Sequence, residues 1–383
     1  MLACDVTGPA GEVIARAGHA LGERTLRALV GRGVSWCYVD DLWSAGLPVQ
    51  LLDGGRANVR PLLRDFEQKV ADLVASCVSL STQRALETVR KARPTAPLAR
   101  GRLLEEMPAA IRAFIDICAE PMTAGGYLLD RVAAEDEAGH AIGVAALTAR
   151  ICGLIGLDAA EREAAVMAAL LHDVGMVFVP RSIRMTPPIR RSIPERIRYE
   201  DHAILGEAIL GPLGEPSMHL SIVAGEHHEQ ADGGGYPRKL SGGHRVLRTA
   251  EEKRNLDRVT LVSEIVLVAD TYERAVSPSP GITGCSPATA RLLLNGLAGS
   301  ALNGEIVRRF LDSFPALPVG TDVRVTAGLH TGMSGIVCGI PEGLESRPVV
   351  RLFLDARGYP IDEVIEVELA RERETAVEVL EAA

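Results

Sequence analysis

The segment that most constrains this chain is Leu170–Met176, in which His172 and Asp173 stand side by side. They follow the apolar, alanine-rich run Ala164–Leu171, which predicts a buried helix. An imidazole and a carboxylate at the end of a buried helix lose their hydration, which costs free energy unless something compensates them. The usual compensation is a metal ion or a tight network of hydrogen bonds.

The composition limits the class of protein. Apolar residues make up 47% of the 383 residues and aromatic residues only 4%, so we expect a sizeable core of Leu, Val, Ile and Ala. The net charge of −9 argues against broad nucleic-acid binding, so no DNA partner is expected. We see no apolar run long enough to span a membrane and no basic leader before Ala10, and we expect no membrane partner. Seven scattered cysteines without a C-x-x-C pattern fit free thiols and a cytoplasmic protein.

Periodicity predicts a mainly α protein with four regions. Residues 1–52 read as a small α+β N-terminal unit, followed by a turn at Asp53-Gly-Gly. Residues 58–120 read as a helical connector, either a layer packed on the next domain or a pair of helices that forms a homodimer. Residues 121–315 read as an all-helical domain and residues 318–383 as a small β tail. The predicted helices of the third region are Glu135–Ile155, Ala159–Leu171, Glu200–Leu210, Met218–Glu229, Arg258–Val276, Ala288–Leu297 and Gly304–Phe314.

Side chains that can bind a metal recur at the ends or on the faces of these helices. They are Asp136, His140, His172, Asp173, His202, His227, His228 and Asp270. Taken singly, each could be a buried structural residue or a helix cap, and we keep that reading for His19, His219, His244 and His330. Adjacent residues on a helix point about 100° apart, so each adjacent pair can send one ligand to each of two ions. A set of N and O ligands without thiolate fits two octahedral ions such as Fe, Mn or Ni better than one zinc.

Two ions bridged by a carboxylate and a hydroxide would supply the nucleophile and the charge clamp for hydrolysis of a phosphoester.

The segment Glu226–Leu240 contains His227-His228 and, after them, three glycines directly before Tyr236-Pro237. Three consecutive glycines favour an unusual backbone. The segment is either an ordinary loop or, because it follows His227-His228 directly, a loop that lines the site.

In this order, the residues strongly resemble the HD-GYP domain, a branch of the HD phosphohydrolases. The resemblance rests on His140, His172-Asp173, His202, His227-His228, Gly235-Tyr236-Pro237 and Asp270, and it covers about Glu135–Ser277. It implies an all-helical HD-type metal-binding domain, two or three divalent ions, iron or manganese foremost, and hydrolysis of cyclic di-GMP to pGpG and GMP in bacterial signalling. It also implies that the seven His and Asp residues named here are metal ligands, with His172 and Asp173 catalytic and Asp173 the bridge. Asp136 falls where some members bind a third ion, and Gly235, Tyr236 and Pro237 would contact the substrate.

Two positions depart from the family pattern. Met176 stands where the family usually has Lys, and Ser279 where it usually has an Arg that grips phosphate. Arg181 and Arg184 lie in a segment that is either an exposed basic loop or a replacement phosphate-binding lid. These departures leave two alternatives to a cyclic di-GMP phosphodiesterase. One is a catalytically weak relative that senses a nucleotide or binds a partner such as a diguanylate cyclase; the other is hydrolysis of a related nucleotide.

Overall fold

The structure is a computed structural model. It describes residues 6–7, 13–16, 19–20, 22–32, 51–75, 80–92, 102–119, 137–211, 218–255, 257–277, 284–313, 315–341, 344 and 346–380. Asp136 and Ser279, named above as site candidates, lie outside these residues. The chain divides into two compact units, one of residues 1–52, 122–127 and 315–383, the other of residues 53–121 and 128–314.

The N-terminal part contains a short antiparallel strand pair and one helix. Strand β1 is Val6–Thr7, β2 is Val13–Ala15 and helix α1 is Glu23–Val30. Val6 and Leu29 are buried together, which joins the strand pair to the helix. The observed strands and helix have the character predicted for a small α+β unit.

The second unit is built from helices. They are α2 Leu51–Val74, α3 Thr82–Ala92, α4 Arg102–Ala119, α5 Glu137–Ile155, α6 Ala159–Leu171, α7 Arg181–Arg184, α8 Ile193–Glu200, α9 His202–Leu210, α10 Met218–Glu226, α11 Ala250–Arg254, α12 Leu261–Val276, α13 Pro287–Leu297 and α14 Gly304–Ser313. Short 3₁₀ helices occupy Val174–Phe178 and Pro188–Arg190. The seven helices predicted between residues 121 and 315 are all present, with ends that differ by up to three residues. The turn predicted at Asp53 was wrong, because helix α2 runs through it without a break.

Local sequence explains where several of these helices begin. Asp158 caps α6 by accepting a hydrogen bond from the backbone N–H of Glu161, whose side chain returns a bond to the Asp158 backbone N–H. Thr260 caps α12 in a similar way through the N–H of Ser263. These caps fix the N-terminal ends of α6 and α12. Site residues lie toward the opposite ends, with His172 directly after α6 and Asp270 in the second half of α12.

Helix α5 lies at the centre of the unit and packs against α6 and α12. By length and composition its segment Ala138–Ile155 could cross a membrane, so the expectation that no run reaches that length was wrong. The same segment is 78% buried within the protein, as in the core helix of a globular unit. Helix α10 packs against α6, α9 and α12, and α6 and α12 in turn pack against α5.

The C-terminal part is a five-stranded antiparallel sheet in the order β6-β5-β4-β3-β7. The strands are β3 Asp322–Ala327, β4 Ser334–Gly339, β5 Val349–Leu354, β6 Pro360–Glu368 and β7 Ala376–Val379. One face is buried through Val323, Val337, Val350 and Leu352, which gives the predicted tail its own core. The small β tail predicted at the C-terminal end is confirmed as this antiparallel sheet.

Candidate metal centre

Most of the predicted ligands meet at one place in the helical unit. His140 is in the first turn of α5, His172 and Asp173 follow α6, His202 begins α9, His227 and His228 follow α10, and Asp270 lies within α12. Residues from five helices therefore converge. Helix ends supply most of them, because side chains there can turn inward without interrupting the packing of a helix face.

Asp173 is shared by two clusters of possible ligands. In cluster A, Asp173, His202, His227 and His228 each offer an atom within 4.8 Å of the others, and in cluster B so do His140, His172 and Asp173. Asp173 Oδ1 lies 3.2 Å from His202 Nε2 and 3.4 Å from His227 Nε2. Its Oδ2 lies 3.6 Å from His140 Nε2 and 3.5 Å from His172 Nε2. Each carboxylate oxygen thus faces one cluster, which is the arrangement that a bridging ligand requires.

Asp270 lies on the side of cluster B. Its Oδ1 is 3.0 Å from His140 Nε2 and 3.8 Å from His172 Nε2. The partition differs from the expectation that adjacent residues serve different ions. Asp173 does serve both clusters, but His227 and His228 fall together in cluster A.

Three of the imidazoles are held by the carbonyl of the residue three positions earlier. The Nδ1···O distances are 2.6 Å from His172 to Ala169, 2.6 Å from His202 to Tyr199 and 3.0 Å from His227 to Ala224. A carbonyl only accepts hydrogen bonds, so each Nδ1 carries the proton and donates it. Each Nε2 then presents a lone pair to the centre, the tautomer that metal-binding histidines use.

The lone pairs face one another without a proton between them. His202 Nε2 and His227 Nε2 are only 3.3 Å apart. The buried Nε2 atoms of His172 and His228, together with Asp173 Oδ1, have no hydrogen-bond partner within the described part of the chain. Buried polar atoms nearly always have partners, so such a group of electron-rich atoms calls for cations. The donor set of imidazole nitrogens and carboxylate oxygens fits divalent metal ions.

Most of the site is already in the protonation state that metal binding needs. Burial, opposed by Asp173, lowers the pKa of His172 to about 3. Burial together with His227 lowers the pKa of His228 well below its usual value. Although burial acts the other way, His172 and Arg274 hold the pKa of the Asp173 carboxyl well below its usual range. Neutral imidazoles and an ionised carboxylate are the result.

Glu273 is a site residue that the sequence reasoning missed. Its carboxylate contacts His140 Nδ1 and accepts a hydrogen bond of 2.7 Å from Ser277 Oγ. Burial and Arg274 lower the pKa of His140, but Glu273 and Asp270 outweigh them and raise it to about 10. A Cβ at Gly143 would lie 3.0 Å from Glu273 Cγ, so glycine there leaves room for the carboxylate. Glu273 lies three residues after Asp270, on the same helical face, and that spacing was the available signal.

Arg274 is the second missed residue. Its Nη2 donates to Asp173 Oδ2 and its Nε to Asp270 Oδ1, both at 2.7 Å. The i, i+4 spacing from Asp270 predicts that ion pair. The contact with Asp173, 101 positions away, was not readable from the sequence.

The glycine-rich loop lies on cluster A. The Tyr236 ring stacks on His228 with centroids 4.6 Å apart and 29° between the ring planes. A Cβ at Gly235 would lie 2.3 Å from His228 O, so only glycine fits there. The loop is held by fully buried Glu229, whose carboxylate accepts from the backbone N–H groups of Arg238 at 2.6 Å and Leu240 at 2.9 Å.

The two candidate phosphate-binding arginines are placed differently. Arg184 and Asp173 both line a cavity of about 410 Å³ that is also lined by Arg64, Glu67 and Gln68 of α2. Arg181 is exposed on α7 and is not part of that lining. Met176, where the family usually has a lysine, is buried in the 3₁₀ helix that follows Asp173.

Comparison with known proteins gives one family match and three similar proteins. Residues 120–244 match the sequence model of the HD domain family. The chain is 31% identical over 159 residues to the 3'3'-cGAMP-specific phosphodiesterase 3 of Vibrio cholerae, which covers 42% of this chain and 31% of that protein. It is 28% identical over 238 residues to the cyclic di-GMP phosphodiesterase PA4108 of Pseudomonas aeruginosa, covering 62% and 52%. It is 29% identical over 174 residues to a cyclic di-GMP phosphodiesterase of Thermotoga maritima, covering 45% and 43%. The matches span about a third to a half of the length of these relatives.

Proposed function

We propose that this chain, a protein of the HD-GYP branch of the HD domain family, is a metal-dependent phosphodiesterase that hydrolyses cyclic di-GMP to pGpG and GMP. The observation that carries the proposal is the pair of histidine clusters that share Asp173, which fits two divalent ions. The activities for which the three relatives are named support a cyclic dinucleotide as the substrate class.

Asp173 would bridge the two ions, with His202, His227 and His228 completing one site and His140, His172 and Asp270 the other. Two bound divalent ions supply Lewis acidity at a phosphate oxygen and acidify water near neutral pH. Nitrogen and oxygen donors without thiolate favour iron or manganese. Asp136 remains a proposed ligand of a third ion.

The surrounding residues would position the substrate. Tyr236, on glycine-dependent backbone at Gly235 and followed by Pro237, covers cluster A and limits the access of water to His228. On the other side, the cavity beside Asp173 has the volume of a small-molecule site, and Arg184 in its lining supplies a cation for a phosphate. Glu67 in the same lining offers carboxylate acceptors that match the N–H groups at the edge of a guanine base.

A second candidate is a nucleotide sensor or protein-interaction module with weak turnover. It is favoured by Met176, because an apolar side chain stands where the family usually has a lysine and supplies no positive charge for a phosphate. A diguanylate cyclase is the proposed partner in that case.

Turnover on metal-loaded protein tests the proposal. Protein reconstituted with Fe²⁺ without oxygen, or with Mn²⁺, is incubated with cyclic di-GMP or 3'3'-cGAMP, and the products are separated by chromatography. We expect pGpG and GMP from the first substrate, no turnover by Asp173→Ala, and unchanged turnover by His244→Ala, which alters an exposed histidine outside the centre.

Metal-replete protein that leaves cyclic di-GMP intact would contradict the proposal. Retained binding of the intact nucleotide, measured by calorimetry, would then support the sensor. Faster turnover of 3'3'-cGAMP would move the proposal to that substrate.

A further inference from the structure

Arg274 touches only one side of the candidate metal centre. Its guanidinium donates to Asp173 Oδ2 and Asp270 Oδ1, the oxygens that face His140 and His172 in cluster B. Asp173 Oδ1, which faces cluster A, has no hydrogen-bond partner among the described residues. The two clusters therefore differ in how free their carboxylate oxygens are.

We infer that Arg274 makes the two metal sites unequal, so that cluster A fills first and cluster B fills only when an ion displaces the guanidinium. The inference rests on the proposed two-metal centre. An ion at cluster B needs the oxygens that Arg274 engages, and charge-assisted hydrogen bonds to carboxylates are among the strongest that side chains form. An ion at cluster A meets histidine nitrogens and Asp173 Oδ1, none of which is hydrogen-bonded to an arginine or lysine among the described residues.

The surroundings of Arg274 allow such a displacement. Its side chain is 39% exposed, whereas those of Asp173 and Asp270 are 12% and 4% exposed. A guanidinium at the rim can move into water without opening the core, and the carboxylates stay in place. Arg274 is thus an internal counter-ion that is present while cluster B lacks an ion.

The same contacts give Arg274 a role before any metal binds. Asp173 follows α6 and Asp270 lies in α12, and two buried ionised carboxylates that contact the same guanidinium repel each other. Arg274 joins them and holds cluster B in shape. Removing it should therefore destabilise the metal-free protein while it tightens metal binding, two effects of opposite sign that a purely structural residue does not produce.

Titration of metal-free protein with Mn²⁺, followed by calorimetry and by electron paramagnetic resonance, tests the inference. For the wild type we expect one tight site and a second at least tenfold weaker, with the spectrum of coupled ions appearing only in the second step. Arg274→Leu should bind the second ion about tenfold more tightly, yet unfold at a lower temperature when metal-free. Arg309→Leu is the matched control, since Arg309 also pairs with a carboxylate four residues earlier at 2.7 Å and is 40% exposed. It should leave both metal affinities unchanged.

Equal second-ion affinities in the wild type and Arg274→Leu would overturn the inference while leaving the two-metal proposal intact. Failure of the wild type to bind Mn²⁺ at all would reject the proposed metal centre itself. If Arg274→Leu does not fold, Arg274→Lys takes its place, because a single ammonium cannot engage both carboxylates in the same forked manner. It should tighten the second site by an intermediate factor, and no tightening would overturn the inference.

Discussion

Glu229 holds the glycine-rich loop onto the centre, and its removal gives a prediction that can be worked from the structure. Each carboxylate oxygen accepts one backbone N–H, from Arg238 at 2.6 Å and from Leu240 at 2.9 Å, and the side chain is fully buried. A hydrogen bond to a charged group contributes about 1.5–3 kcal/mol, so Glu229→Ala should cost about 3–6 kcal/mol. That is a large part of the 5–15 kcal/mol by which domains are typically stable, on the order of half.

The isosteric variant separates shape from charge. Glu229→Gln keeps one acceptor but turns an amide N–H₂ toward one of the two backbone N–H groups, so about half of the Ala effect is expected. Urea denaturation measures the free energy of unfolding, and hydrogen exchange at Arg238 and Leu240 reports whether the loop opens locally. The stacking of Tyr236 on His228 depends on this loop. Variants in which the loop amides exchange faster should therefore also turn over the substrate more slowly.

Glu207→Gln is the control for the same loop. Its carboxylate is one-third exposed and pairs with the Arg238 side chain at 3.0 and 3.2 Å, so a loss of at most about 1 kcal/mol is expected. The reasoning would be refuted if Glu229→Ala cost no more than Glu207→Gln and exchange at the two amides stayed slow.

Three further predictions concern the centre and its surroundings. Met176→Lys places an ammonium where the side chain is buried, so it should destabilise the protein by about 2–5 kcal/mol in urea denaturation; a gain in turnover at unchanged stability would contradict this. Gly235→Ala should reduce turnover and loosen the loop, because its Cβ would lie 2.3 Å from His228 O, whereas Gly296→Ala, with nothing within 4 Å, should be neutral or stabilising by about 1 kcal/mol in α13. The pKa values of Asp173 and Asp270 are lowered below the usual 3.8, so the stability they contribute to metal-free protein is present above about pH 3.8 and lost as the pH falls further. Thermal unfolding in a chelating buffer should show that loss in the wild type and a smaller one in Asp270→Asn.

The mainly α class and the HD-GYP resemblance were both confirmed, because they depend on short-range signals. Apolar spacing and helix caps such as Asp158 and Thr260 are written locally. The site residues themselves stay predictions, although the structure brings the described ones together around Asp173.

What the sequence could not supply depends on long-range contacts. Arg274 meets Asp173 from another helix, and Glu273 meets His140 across 133 positions. The motif shows that Met176 stands where the family usually has a lysine. That this position is buried is visible only in the structure, where it lies in a 3₁₀ helix. The helix Ala138–Ile155 shows the converse, since apolar length alone does not separate a core helix from a membrane span.

The central claim is that the cluster around Asp173 binds two divalent ions and hydrolyses a cyclic dinucleotide. The most direct test measures metal content and cyclic di-GMP turnover on one preparation of the wild-type chain. The account predicts two ions per chain and release of pGpG and GMP. Two bound ions without hydrolysis of any cyclic dinucleotide would contradict it.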